Sequence, residues 1–104
     1  MSTHPVVSTK AIRAHVTGLV QQVGYRQSCR QAARSLGLVG WVRNTADGRV
    51  EVFAQGGADE VDRLVAWLWG GPALARVTGV ESEVVASDNT MRDFFIHPNP
   101  MKND

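Results

Sequence analysis

Gly18-Leu19-Val20-Gln21-Gln22-Val23-Gly24-Tyr25-Arg26 joins a run that alternates like a strand to a run with the period of a helix, and it ends on an arginine. Before it, Ile12, Ala14 and Val16 alternate with Arg13, His15 and Thr17, the period-two pattern of a strand with one buried face. After it, Tyr25, Cys29, Ala32, Ala33 and Leu36 form a single apolar stripe at helical spacing. A loop that opens a helix presents backbone N–H groups and the positive end of the helix dipole, which together hold a phosphate or carboxylate without a dedicated side chain. Arg26, in the first turn, adds a planar guanidinium that can grip two oxygens at once. The stretch predicts a strand–loop–helix unit with an anion site in the loop.

Downstream, Gly37 marks the end of this helix, because glycine takes the left-handed conformation that closes one. Residues 39–44 and 49–55 are two β-prone runs separated by Thr45-Ala46-Asp47-Gly48, and Asp-Gly between such runs signals an antiparallel hairpin. Within the first run Val42 and Asn44 share one face and Trp41 and Arg43 the other, so Asn44 stands at the strand's end, where side chains leave the core and meet the loops. Gly56-Gly57 breaks the second run. Residues 58–69 then read as a helix, with Asp59 and Glu60 near its positive end and Val61, Leu64, Val65 and Leu68 as its stripe; Gly70-Gly71-Pro72 stops it. A weaker β-prone run follows at 77–84, and Phe94-Phe95-Ile96 is a short last strand or edge piece. The order β-α-β-β-α-β with a β extension predicts an α+β, ferredoxin-like sandwich, an antiparallel sheet carrying two helices on one face.

The chain's 104 residues suit one domain, with a core over about 10–97, a polar arm at 1–9 and a tail at 98–104. A formal charge of +1 without a Lys/Arg block gives no long-range pull on nucleic acid or acidic lipid, so any anion site is local. The lone Cys29 cannot form an internal disulfide, no apolar run approaches the roughly 18 residues of a membrane span, and the first residues lack signal-peptide character. A reducing, cytoplasmic setting and a monomer are expected. His4, His15 and His97 lie too far apart for ligand spacing, and neither a metal nor a cofactor is expected. Cys29, on the helical stripe, reads as a small buried hydrophobe, and His15 as a residue on the strand face opposite Ile12, Ala14 and Val16. Arg26 and Asn44 remain as the notable polar pair. Alone, each has an ordinary explanation, an exposed helix arginine and a turn-former beside a hairpin. In a β-α-β-β unit, however, the loop after the first strand and the loop leaving the second can lie together, so both side chains can face one anion.

Residues 18–26, followed by Leu36-Gly37-Leu38-Val39-Gly40-Trp41-Val42-Arg43-Asn44 and by residues 46–52, strongly resemble the acylphosphatase family. The likeness continues through Gly70-Gly71-Pro72, residues 75–77 and Phe94-Phe95-Ile96, and so covers roughly residues 10–97. It implies a ferredoxin-like fold and metal-free hydrolysis of small acyl phosphates to carboxylate and inorganic phosphate. By position, Arg26 corresponds to the family's phosphate-binding arginine and Asn44 to its water-positioning asparagine. The loop amides of Gln21, Gln22, Val23, Gly24 and Tyr25 correspond to its phosphate cradle. Gln22 is a departure, since the family usually has glycine there. If the backbone at that point requires positive φ, a side chain costs on the order of 1 kcal/mol. Two other readings stay open from the sequence. The same element order occurs in RNA-recognition domains, although Trp41, Phe53 and Phe95 form no aromatic-rich run and read more simply as packing residues. Gln22 also leaves room for a catalytically weak relative kept as a phosphate-binding domain.

Overall fold

Alternation, stripes and breakers resolve, in a computed structural model that describes residues 8–98, into β1 Thr9–Leu19, α1 Tyr25–Ser35, β2 Val39–Asn44, β3 Val50–Gly57, α2 Ala58–Gly70, β4 Arg76–Val85 and β5 Phe94–Ile96. Residues 1–7 of the expected arm and 99–104 of the expected tail lie outside the described residues. Thr9 pairs with Gly57, so β1 starts within the stretch expected as arm. β1 outruns its alternating segment at both ends because it is bonded on both sides, to β3 from Thr9↔Gly57 to Val16↔Val50 and to β4 from Ala11↔Val85 to Leu19↔Arg76. Two ladders satisfy backbone groups that side-chain pattern alone does not register.

The sheet order is β4-β1-β3-β2-β5. Four strands pair antiparallel as expected, but β5 runs parallel to β2, with Gly40↔Phe94, Trp41↔Phe95 and Val42↔Ile96 in register. The sheet is therefore mixed. A tight hairpin forces antiparallel pairing, whereas the loop after β4 carries the chain to the opposite edge, where no such constraint acts.

Both helices lie on one face of the sheet. Ile12, Ala14, Val16, Val42, Val50 and Val52 from the strands join Tyr25, Cys29 and Ala33 of α1 and Val61, Leu64 and Leu68 of α2 in one buried cluster. At the end of α1 the Gly37 N–H bonds Arg34 O at 3.0 Å and the Leu38 N–H bonds Ala33 O at 3.0 Å, a closure that needs the φ of 72° found at Gly37. The glycine stop read in the sequence is thus a Schellman turn.

The other sheet face carries Trp41 stacked on Phe53, centroids 6.1 Å apart, beside a charged cluster around Glu51. Glu51 is only 7% exposed; it accepts from Arg43 Nε at 2.7 Å and meets His15 Nε2 at 3.0 Å. Burial pushes its carboxyl up, but the Arg43 hydrogen bond and the nearby charges of Arg43, His15 and Arg13 outweigh it and hold the pKa below the ordinary value. His15 does face away from Ile12, Ala14 and Val16, yet its partner is 36 residues off and invisible to local reading. No helix among the described residues is long and apolar enough to cross a membrane.

Candidate active site

The segment between β1 and α1 is held at both ends by its own side chains. Gln21 Nε2 donates to Thr45 O and to Arg49 O, both at 2.9 Å, tying the loop to the β2–β3 turn. Tyr25, the first residue of α1, is fully buried and donates its hydroxyl to Leu68 O at 2.6 Å, which anchors the start of α1 to the last turn of α2. Burial, and then the neighbouring Cys29, push the Tyr25 phenol far above its usual pKa, and so it stays a neutral donor. These two ties place the loop against the rest of the domain. Neither side chain had been read from the sequence in this role, because each bond spans more than 20 residues.

Inside the loop, Gln22 has φ 63°, and among the described residues it is the non-glycine residue with positive φ. Such a conformation costs an L-residue on the order of 1 kcal/mol, and strain of this kind tends to collect at functional sites. Gly24 follows in the left-handed region, φ 78° and ψ 14°, as the N-cap of α1. Its carbonyl receives the first intrahelical bond, from the Ser28 N–H at 3.1 Å, so the N–H groups of residues 25–27 have no intrahelical acceptor. The first turn of α1 holds no acidic residue, and Arg26 sits within it.

Gln22, Gly24, Tyr25 and Arg26 line one cavity of about 370 Å³ together with Val20, Gln27 and Ile96. Gln21 and Val23, also predicted as loop donors, belong to the same loop without lining the cavity. Gln27 is not among the residues expected at the site, and Ile96 is expected only as part of the short last strand or edge piece. Gln27 could have been found as the next residue of the helix's first turn; Ile96, seventy positions from Arg26, could not.

Asn44 likewise does not line that cavity. It ends β2 opposite Val50, 8% exposed, and its Oδ1 is buried with no hydrogen-bond partner among the described residues. The adjoining turn is tightly knit. Thr45 Oγ1 donates to Asp47, the Arg49 N–H donates to Thr45 Oγ1 at 3.0 Å, and Arg49 Nε reaches Asp47 at 3.0 Å. The Thr45 hydrogen bond first, then Arg49, lowers the Asp47 pKa to about 2. Through Thr45 O and the Gln21 amide, this turn couples Asn44's strand end to the loop.

Cys29 is wholly buried and burial pushes its thiol up to about 12, the environment of a packing residue and not of a nucleophile. Among the described residues no group of three or more His, Cys, Asp or Glu side chains is arranged to hold a metal ion.

Fold and loop together define a ferredoxin-like α+β protein in which a helix N-terminus and an arginine open on one cavity. The acylphosphatase family model matches residues 12–96, and the chain belongs to the acylphosphatase family. The acylphosphatase of Methylococcus capsulatus is 47% identical over 87 residues, covering 84% of this chain and 95% of that protein. That of Rhizobium etli is 43% identical over 96 residues, covering 92% and 98%. Among solved structures, an acylphosphatase from Coxiella burnetii superposes with a TM-score of 0.82 at 38% identity, over 86% of this chain and 93% of that one. The protein is accordingly an enzyme of acyl phosphate hydrolysis, with an acyl phosphate as substrate and phosphate as product.

Proposed function

We propose that the loop amides of residues 21–25 and the Arg26 guanidinium hold the phosphoryl group, and that Asn44 orients the attacking water in a reaction that needs no metal. The observation that carries this reading is the helix start itself: Gly24 as N-cap, no acidic residue in the first turn, and Arg26 on the same cavity. A dianionic phosphoryl group suits that set of donors, and an arginine can also meet the charge that develops in the transition state.

The reaction asks little else of the protein. Water adds to phosphorus, the bond between phosphorus and the acyl oxygen breaks, and its electron pair leaves with the carboxylate. Both hydrogens of the water end on the phosphate. The carboxylate's conjugate acid has a pKa of about 4, so it departs at neutral pH without a general acid. Asn44 is too weakly basic to deprotonate water, but its carbonyl oxygen can accept one of the water's O–H groups. The buried Oδ1, without a hydrogen-bond partner among the described residues, supports this role, since an unsatisfied buried acceptor costs about 1–3 kcal/mol that a bound water would recover. The proton's natural destination is a substrate oxygen, and no covalent phospho-enzyme enters the scheme.

The reading is completed by a single domain spanning the whole chain, with its core at about 10–97, that acts as a monomer in the cytoplasm. The test is an assay of purified protein on acetyl phosphate with and without a chelator, alongside light scattering. Unchanged turnover in chelator supports the metal-free scheme, and loss of activity restored by a divalent ion rejects it.

A further inference from the structure

The phosphoryl end of an acyl phosphate accounts for only part of the cavity between β1 and α1. Of its lining residues Arg26 is the charged one, Gln22, Gly24 and Gln27 are polar or backbone, and the apolar contributions come from Val20, Tyr25 and Ile96. Val20 and Tyr25 are each 1% exposed. Ile96 is half-buried, which makes it the most exposed apolar residue of the set.

Ile96 is held there by more than its three-residue strand. It pairs with Val42 of β2, two residues before Asn44, and the next N–H, that of His97, donates to Val42 O at 2.8 Å. Arg34 of α1 donates to Phe94 O at 3.1 Å from Nε and to Asp93 at 2.9 Å from Nη2, clamping β5 to the helix whose start opens the cavity. Phe94 is fully buried beneath it. The parallel β5 thus delivers one apolar side chain to the edge of a polar, cationic site.

We infer that Ile96 is the specificity-determining residue for the acyl half of the substrate, giving an apolar wall against which the acyl group packs while the phosphoryl group is held by the loop; this rests on the function proposed above. The substrates favoured are acyl phosphates whose acyl group presents apolar surface beside the carbonyl, such as aryl or branched aliphatic ones. Removing methyl groups from one wall of a hydrophobic site weakens discrimination in proportion to the surface lost, and a one-sided wall gives less than an enclosed pocket.

The test compares kcat/KM for benzoyl phosphate and acetyl phosphate, and Ki for inorganic phosphate, in the wild-type protein, Ile96→Val and Ile96→Ala. Expected is a graded fall in the ratio of kcat/KM for benzoyl phosphate to that for acetyl phosphate, about threefold for the valine and about tenfold for the alanine, with a phosphate Ki within twofold of wild type. Equal losses on both substrates, a weakened phosphate Ki, or no loss on benzoyl phosphate would each overturn the proposal. The valine variant, one methylene smaller on an edge strand, keeps the test open if the alanine variant is unstable. Arg26→Ala in the same assay separates the two readings: if it loses turnover while the Ile96 variants do not discriminate, only the acyl wall fails, and if it retains turnover the phosphoryl site itself is misplaced.

Discussion

The two helices begin in opposite ways. α2 starts after Gly57 with Asp59 and Glu60 in its first turn, its first amide donates to Ser8 O at 2.8 Å, and the Glu60 carboxylate folds back over Gly57, where a side chain at that position would meet it. α1 starts after Gly24 with no acidic residue in that turn, and a cation, Arg26, at the end where the dipole is already positive. Carboxylates at a helix N-terminus stabilise by about 0.3–1 kcal/mol each, and a cation there costs a similar amount. One helix end therefore carries the chain's own carboxylates in its first turn, and the other carries an arginine and no acidic residue. That difference fits the proposed binding of a dianionic phosphoryl group at the start of α1 rather than of α2.

The contrast can be broken most strongly at Arg26. Arg26→Ala should lower kcat/KM by about 100-fold or more and weaken competitive inhibition by phosphate, because a charge-assisted contact is lost where transition-state charge develops. The variant should stay folded, which its cooperative thermal unfolding checks. Near-normal turnover by a folded Arg26→Ala protein would sink the assignment.

Asn44→Ala tests the other half of the site. A fall in kcat of about 100-fold is expected with phosphate Ki unchanged, as positioning the water matters to the chemical step more than to ground-state binding. Stability should not drop, because the substitution removes a buried acceptor that has no partner among the described residues. Lost phosphate binding with kcat preserved would make Asn44 a substrate ligand instead.

Gln22→Gly acts in the opposite direction. With Gln22 at φ 63°, glycine should relax the loop and raise rate, phosphate affinity or both by up to about tenfold, corresponding to about 1.4 kcal/mol. The stability gain is offset by the greater freedom glycine gives the unfolded chain, so kinetics is the sharper readout. A slower enzyme with weaker acyl phosphate binding would show that the glutamine side chain contributes more than its backbone costs.

The smallest effects come from making the two helix ends alike. Glu60→Ala should cost about 0.5 kcal/mol in denaturant unfolding and leave kcat unchanged, whereas Gln27→Glu should stabilise by a similar amount and weaken phosphate inhibition a few-fold. Equal behaviour of the two substitutions in the kinetic assay would remove the functional distinction between α1 and α2.

Local chemistry determined a good deal of this protein from the sequence by itself. Period-two and helical spacing, the Asp-Gly turn and the Gly37 stop depend on neighbours within a few residues, so the element order, the face shared by Val42 and Asn44, and the strand–loop–helix unit ending at Arg26 were all legible. The motif running from Gly18 to Asn44 carried the family as well. Long-range pairing was not legible, because periodicity states which face a residue takes and not which partner it meets. Only the tertiary structure decided that β5 runs parallel to β2 at the sheet edge, that Gln21 and Tyr25 pin the loop through bonds to Thr45, Arg49 and Leu68, and that Ile96 reaches the cavity of Arg26. It also decided the backbone at Gln22. A glutamine favours negative φ, so the residue type itself gives no sign of the left-handed backbone it takes in a loop tied down at Gln21 and Tyr25.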